Sequence, residues 1–163
     1  MEILKASIKD YDLIHAIAVP SWQHTYSSIL SAEQLDYMLT LMYSHDAITE
    51  QISIKGHHFL LAAEDGQYLG FASYEINSVY EATKIHKLYV LPGAQGRGVG
   101  KALVTVIENT AKAHGNNKLL LNVNRYNPAV NFYLKTGFAK IGQEDINIGN
   151  GYLMEDYIMQ KPL

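Results

Sequence analysis

The chain has 163 residues, 48% of them hydrophobic, which suits one globular domain with a sizeable core. Its formal net charge is −3, and no run of Lys or Arg is long enough to follow a nucleic-acid backbone. The absence of cysteine excludes disulfides, thiolate metal sites and acyl-cysteine intermediates. Residues 1–163 are therefore predicted to form a single soluble domain without a nucleic-acid partner.

The N-terminal third is predicted to hold one strand and two helices. Residues 3–8 are typical of a strand, and Asp10 can cap a helix that Pro20 is expected to end near Val19. A second helix is predicted from Ser31, where a capping-box pattern begins.

Three strands and a longer helix are expected next. The strands are predicted over residues 57–64, 68–76 and 82–91, with an Asp65-Gly66 turn joining the first two. From Val99 the apolar residues recur at helical spacing until Gly115, which supplies a C-cap.

The C-terminal third begins with an apolar strand over residues 118–123, reached by that helix. A helical crossover favours parallel pairing, so this strand is predicted to lie parallel to 82–91. Asn127-Pro128 indicates the start of a short helix that ends at Gly137. The tail is predicted to form a hairpin of residues 138–148 and 152–159.

The most informative segment runs from Leu88 to Lys101, where an apolar strand passes through Pro92 into a glycine-rich loop that opens a helix. It is not a P-loop, because Ala102 stands where Ser or Thr is needed, and Lys101 occupies the third glycine of the dinucleotide pattern. The first amides of a helix lack intrahelical partners and can bind phosphate. The loop is therefore a candidate diphosphate cradle.

The pattern Gln95-x-x-Gly98-x-Gly100 resembles the acyl-CoA pyrophosphate loop of the GCN5-related N-acetyltransferase (GNAT) superfamily. Residues 124–138 resemble a second segment of that family, with Asn127 matching its Asn. The order of predicted elements agrees with the GNAT fold. The expected fold class is thus α/β (α+β): a single mixed, mostly antiparallel sheet, with its fourth and fifth strands parallel, flanked by helices.

A narrower resemblance concerns residues 86–92 and 145–157, which look like the PaiA-type branch, whose members acetylate spermidine and spermine. This resemblance implies direct transfer of acetyl from acetyl-CoA to a primary amine, with a polyamine as acceptor. The alternatives are acetylation of a protein amine, which needs an open peptide groove between the second helix and the hairpin, and a non-catalytic acyl-CoA sensor. A cytoplasmic enzyme with a small-molecule amine substrate and no membrane partner is expected, and a homodimer is compatible with the sequence.

The resemblance also implies which residues hold the cofactor. The end of the fourth strand would pair with the pantetheine arm, and the amide of Val90 or its neighbour would stabilise the oxyanion. Asn127 would bond the same arm. The residues implied in cofactor binding are Leu88, Tyr89, Val90, Gln95, Gly96, Arg97, Gly98, Val99, Gly100, Lys101, Asn127 and Tyr133.

Two catalytic residues are implied. Tyr133 would protonate the leaving thiolate, although a tyrosine on an apolar helix face can also be a plain core residue. His86 would be the base that deprotonates the amine, because strand alternation places it on the same face as Val90. Glu75 and a chain of waters are the rival bases.

Charged and aromatic residues complete the expectations. Basic residues that could favour the phosphates of CoA gather near the glycine loop in sequence: Lys84, Lys87, Arg97 and Lys101. Acidic residues of the hairpin could attract a polyamine: Glu144, Asp145, Glu155 and Asp156. Trp22 and Tyr26 either wall the acceptor pocket or simply pack. The histidines other than His86 show no metal-ligand spacing, so no metal site is predicted.

Overall fold

The computed structural model describes residues 1–163 and is built on one seven-stranded sheet. Its order is β1-β2-β3-β4-β5-β7-β6, and every neighbouring pair is antiparallel except β4 and β5. This confirms the predicted mixed sheet with its parallel pair. The strands are β1 (Glu2–Ala6), β2 (His58–Glu64), β3 (Gln67–Val79), β4 (Ala82–Val90), β5 (Lys118–Asn124), β6 (Ala139–Gly149) and β7 (Tyr152–Pro162).

Five α-helices flank the sheet: α1 (Tyr11–Tyr26), α2 (Ala32–Tyr43), α3 (His45–Ser53), α4 (Val99–Ala113) and α5 (Ala129–Lys135). Helix α3 was not expected from the sequence. It follows α2 directly because the Ser44 side chain accepts a hydrogen bond from the amide of Ala47 and caps a new helix. None of the helices combines the length and apolar character needed to cross a membrane.

Helix α1 continues through Pro20, so the predicted end near Val19 is wrong. Pro20 is exposed, whereas Trp22 and Tyr26 beyond it are buried. An interior proline costs roughly 3 kcal/mol. Full burial of a large apolar side chain returns about 1.5–3 kcal/mol, so the two aromatic residues together offset that cost.

The sheet separates two hydrophobic clusters. One lies under α4 and contains Leu103, Ile107 and Leu121. The other lies under α1, α2 and α3 and contains Trp22 and Phe71. We call these two sides of the sheet the α4 face and the α1–α3 face.

Strands β4 and β5 pair over only part of their length. Residues 82–85 face residues 118–121, after which β4 has an open edge towards β5. A β-bulge interrupts β4 at His86, because Ser73 of β3 pairs with Lys87 and the next residue, Tyr74, pairs with Ile85. The open edge and the bulge both lie where the two strands separate.

Candidate active site

A cavity of about 670 Å³ lies between the C-terminal turn of α1, the end of β4, the start of α4 and helix α5. Every residue predicted to bind the cofactor lines it except Arg97. We call it the donor cavity. The lining residues among those predicted are Leu88, Tyr89, Val90, Gln95, Gly96, Gly98, Val99, Gly100, Lys101, Asn127 and Tyr133.

The glycine loop leaves open space at the start of α4. Gly96 and Gly98 have φ angles of +79° and +81°, and a Cβ added to either would meet nothing within 4 Å. The first helical amide with an intrahelical partner is that of Ala102, which donates to Gly98, so the amides of residues 99–101 lie before it. The unpaired amides, the positive end of the helix dipole and the open space together suit the diphosphate group of CoA.

Gly100 serves packing instead of phosphate clearance. A Cβ at this position would lie 3.2 Å from the ring of Phe132 on α5. The glycine therefore lets α4 and α5 approach closely.

The open edge of β4 suits a strand-like ligand. The amide of Leu91 donates to Leu69 on β3, so by alternation Leu88 and Val90 direct their main-chain groups towards the open edge. Ser21 Oγ, which donates to the Ile17 carbonyl at 2.6 Å, also lies 3.3 Å from the Val90 carbonyl. The pantetheine arm can add to this edge as an extra strand.

The basic residues near the loop in sequence do not gather there in space. Only Lys101 of the four lines the donor cavity. The guanidinium of Arg97 binds Glu64 instead. Lys87 is buried and donates to Gln51 Oε1 at 2.9 Å, and burial, with Lys55 nearby, lowers its pKa to about 7.

A second cavity of about 240 Å³ lies on the α1–α3 face, between α1, α2, β4, β5 and the β6–β7 hairpin. Trp22 and Tyr26 contribute to its wall and also pack in the hydrophobic cluster of the α1–α3 face. We call it the acceptor cavity. It meets the donor cavity at residues that line both: Leu88, Tyr89, Asn127, Ala129 and Tyr133.

Tyr133 is buried at this junction. Its ring makes edge-on contacts with the rings of Phe132 and Phe138. Burial, followed by the nearby Tyr26, raises the pKa of Tyr133 well above 10. The hydroxyl therefore carries its proton at neutral pH, which a general acid requires.

Asn127 positions the neighbouring residues. Its side-chain oxygen accepts from the amide of Ala129, the first residue of α5, at 2.8 Å, whereas Pro128 and not the predicted Asn127 occupies the N-cap position. Its Nδ2 donates to the Tyr26 hydroxyl at 3.0 Å. Both the oxygen and the nitrogen of the Asn127 side chain therefore have protein partners. The implied contact with the pantetheine arm would use the remaining N–H or the remaining lone pair of the oxygen.

Asp156 differs from the other acidic residues of the hairpin in its burial and its partners. It is 1% exposed, lines the acceptor cavity, and receives a long hydrogen bond from Asn122 at 3.4 Å, while its Oδ1 has no partner. Burial raises the pKa of this carboxyl. By contrast, Arg125 lies 2.6 Å from Asp145 and 3.8 Å from Glu155, outside the cavity.

The burial of Asp156 follows from the strand order. Strand β7 lies between β5 and β6, so this residue belongs to an interior strand and not to an exposed hairpin. Glu144 on β6 accepts from Asn122 and does not line the cavity. The sequence offers a hairpin signal but no signal for which strand is the interior one.

His86 lines the acceptor cavity, but its predicted position on the face of Val90 is wrong. Val90 packs on the α4 face, whereas the bulge turns His86 towards Glu75 and His57 on the other face. Burial, followed by Lys84, lowers the pKa of His86 to about 3. An imidazole with so low a pKa is a weak base.

Comparisons with known proteins agree with this geometry. Residues 27–160 match the acetyltransferase (GNAT) domain family. A spermidine N(1)-acetyltransferase of Thermoplasma acidophilum is 29% identical over 160 residues, which cover 95% of this chain and 96% of that protein. An N-acetyltransferase of Mycobacterium bovis is 28% identical over 94% of this chain and 98% of its own length.

Two crystal structures are similar over nearly the whole chain. The PaiA N-acetyltransferase of T. acidophilum in complex with coenzyme A has a TM-score of 0.82 at 29% identity, covering 99% of this chain and 98% of that one. A GCN5-related N-acetyltransferase of Rhodopseudomonas palustris has a TM-score of 0.83 at 25% identity, covering 99% and 95%. The sheet with its open β4 edge, the glycine loop and the family match together establish that the protein is a CoA-using acetyltransferase of the GNAT family.

Proposed function

We propose that this enzyme transfers acetyl from acetyl-CoA directly to a primary amine of a small polyamine such as spermidine or spermine. The observation that carries the proposal is Asp156: a buried carboxylate with an unpaired oxygen in the cavity next to Tyr133. An ammonium group would supply the missing partner. The similarity to the T. acidophilum spermidine N(1)-acetyltransferase supports the same acceptor class.

The donor cavity would hold acetyl-CoA, which supplies an activated acetyl thioester. The amides of residues 96–101 bind the diphosphate, and the open edge of β4 at Leu88 and Val90 orients the pantetheine arm. The Val90 amide donates to the carbonyl oxygen where negative charge develops. Arg97 contributes its main chain, since its side chain binds Glu64.

Asp156 prepares the acceptor. A free alkylammonium has a pKa of ~10.4 and must lose a proton before its nitrogen can attack. Asp156 attracts the cation, and its raised pKa suits it to accept a proton better than an ordinary aspartate does. His86 and Glu75, the bases suggested by the sequence, are hydrogen-bonded to each other and so serve less directly.

Tyr133 completes the reaction by donating its proton to the departing sulfur. Its position at the junction of the two cavities gives it access to the donor side and the acceptor side. The Tyr26 hydroxyl, fixed by Asn127 and 3.5 Å from that of Tyr89, helps to shape the same junction. Transfer is direct, because the chain contains no cysteine for an acyl intermediate.

The contacts between α2 and the hairpin disfavour a protein substrate. The Tyr37 hydroxyl donates to the carbonyl of Ile148 at 2.7 Å, and Gln34 Nε2 donates to that of Leu153 at 3.1 Å. These two bonds bridge the place where a peptide groove would have to open. A small flexible amine does not need that groove.

The test is to incubate the enzyme with acetyl-CoA and a mixture of polyamines, monoamines and peptides, and to identify products by mass spectrometry. Acetylated polyamine is expected as the main product. Preferential peptide acetylation would favour the protein-modifying alternative. CoA binding without any acetylated product would favour a sensor.

The carboxylate is tested by Asp156→Asn, with Asp145→Asn on the same hairpin as the matched control. Asp156→Asn should raise the KM for spermidine at least ~10-fold, because it removes a charge-assisted contact worth roughly 1.5–3 kcal/mol. Asp145→Asn should leave that KM within about twofold, as expected for an exposed ion pair. Equal effects of the two substitutions would contradict the role of Asp156.

A further inference from the structure

Three side chains from three strands meet on the α1–α3 face, at the end of the sheet away from the glycine loop. His57 directly precedes β2, Glu75 lies on β3 and His86 occupies the bulge of β4. Nε2 of His86 is 2.9 Å, and Nε2 of His57 is 3.8 Å, from the same oxygen, Oε1 of Glu75. One ligand atom from each residue lies within 4.8 Å of the others.

The two imidazoles are held in parallel. Their ring centroids are 3.8 Å apart, with an angle of 12° between the planes. The side chains of His57, Glu75 and His86 are 9%, 29% and 21% exposed, so the cluster is shielded but accessible to a small ion. Nδ1 of His57 is buried without a hydrogen-bond partner, and its Nε2 is 3.8 Å from Glu75, so neither ring nitrogen has the hydrogen bond that a purely structural histidine usually makes.

We propose that His57, Glu75 and His86 form a binding site for a zinc-like divalent transition-metal ion, with water completing the coordination. Two imidazoles and one carboxylate are a ligand set that Zn²⁺ uses with an open position. Mg²⁺ and Ca²⁺ prefer all-oxygen surroundings and are disfavoured here. Metal binding replaces the hydrogen bond between His86 and Glu75.

The protonation states of His57 and His86 favour metal binding. Burial lowers the pKa of His57 to about 4, and the pKa of His86 is lowered as well. Both rings are therefore neutral at neutral pH, as ligation requires. Lys55, Lys84 and Lys87 oppose a cation, but Glu75 contributes a negative charge, and Lys87 is held by Gln51.

The required movement is small. Donor atoms around a tetrahedral Zn²⁺ lie ~3.3 Å apart, as follows from metal–ligand distances near 2.0–2.1 Å. The longest separation in the cluster is at most 4.8 Å and must therefore close by no more than about 1.5 Å, which side-chain rotation of His57 can supply.

The site is tested with the full chain, freed of metal by a chelator and titrated with ZnCl₂ in a calorimeter. One Zn²⁺ per chain is expected, and His57→Ala or Glu75→Gln should each weaken its affinity at least ~10-fold. His58→Ala is the matched control, because His58 is adjacent in sequence but lies beside Tyr74 on the α4 face. Its affinity should remain within about twofold.

A second readout does not depend on calorimetry. Zn²⁺ that binds only the folded state raises the melting temperature. This rise should occur in the unaltered protein and in His58→Ala, and should disappear in Glu75→Gln, a conservative change that keeps the side-chain size. The absence of binding tighter than ~100 µM would overturn the proposal. So would Zn²⁺ binding that survives both His57→Ala and Glu75→Gln.

Discussion

The donor cavity and the acceptor cavity differ in how their residues are distributed along the chain. Most of the donor cavity comes from two short segments, residues 88–101 and 126–133. The acceptor cavity takes residues from α1, α2, β4, β5 and the β6–β7 hairpin. Local motifs therefore describe the side that binds CoA, whereas only the folded sheet assembles the side proposed to bind the amine.

Loss of the Tyr133 hydroxyl at the junction is expected to have the largest effect. Tyr133→Phe should lower kcat roughly 100-fold, because it would remove the proposed general acid without changing the shape of either cavity. KM values for acetyl-CoA and amine should change little. The control is Tyr126→Phe, an exposed tyrosine that also lines the donor cavity. If chemistry limits the rate and kcat of Tyr133→Phe is near-native, Tyr133 is a packing residue and not a general acid.

The next effect concerns the donor side alone. Gly98→Glu should weaken acetyl-CoA binding by at least ~2 kcal/mol, about 30-fold, because it places a negative side chain where the diphosphate binds. Gly115→Glu controls for backbone strain, since Gly115 also has a positive φ angle and open space, just beyond the far end of α4. Calorimetry should separate the two variants; equal affinities would argue against the cradle.

The contact between α2 and the β6–β7 hairpin can be weakened without altering the donor cavity. A Cβ at Gly149 would lie 2.8 Å from the Tyr37 hydroxyl, so Gly149→Ala should break the hydrogen bond to Ile148. We expect Gly149→Ala to cost about 1 kcal/mol of unfolding free energy beyond Gly151→Ala, the value of one hydrogen bond. Gly151 shares the positive φ angle but has nothing within 4 Å. Denaturant unfolding measures the difference, and equal losses would contradict this account of Gly149.

The smallest expected effect is the dependence of stability on the ionisation of Asp156. Because the folded state raises the pKa of Asp156 above 3.8, the folded state retains the proton more strongly than the unfolded chain. Stability should therefore fall as pH rises from about 3.8 through the raised pKa. Asp156→Asn removes this loss and should raise the melting temperature at neutral pH.

This gain from Asp156→Asn should vanish in acid, where the carboxyl is protonated in both states. Melting curves collected at several pH values provide the check. A gain of the same size at every pH would show that ionisation of Asp156 is not its cause. Together with the expected loss of spermidine affinity, the gain would identify a residue kept for function at a cost in stability.

Much of the fold could be predicted because its signals are local. The seven strands and the Ser31 cap follow from patterns within single short segments, and the parallel pair follows from the helix that joins its two strands. The elements that were predicted wrongly or not at all have a different origin. Helix α1 passes through Pro20 because burial beyond it offsets the local cost, and α3 depends on a single capping serine, Ser44.

The distinction between local and long-range signals also explains which site residues could be predicted. The glycine loop and Tyr133 lie within contiguous motifs and meet as expected at one cavity. Asp156 depends on β7 lying inside the sheet, and the orientation of His86 depends on an extra residue in β4. The cluster of His57, Glu75 and His86 joins three strands, so spacing along the chain could not indicate it.

The bulge at His86 also restricts how the length of this chain can vary. Beyond it, Leu88 packs on the α4 face and Tyr89 on the opposite one, whereas before it Ile85 packs on the α4 face. Deleting one residue between Ile85 and Leu88 would leave these two side chains two positions apart, so both would keep the α4 face in a regular strand and only the bulge would be lost. A one-residue change of length elsewhere in β4 would instead reverse the faces of the residues beyond it, so the bulge is where this strand can be shortened without exchanging core side chains for cavity side chains.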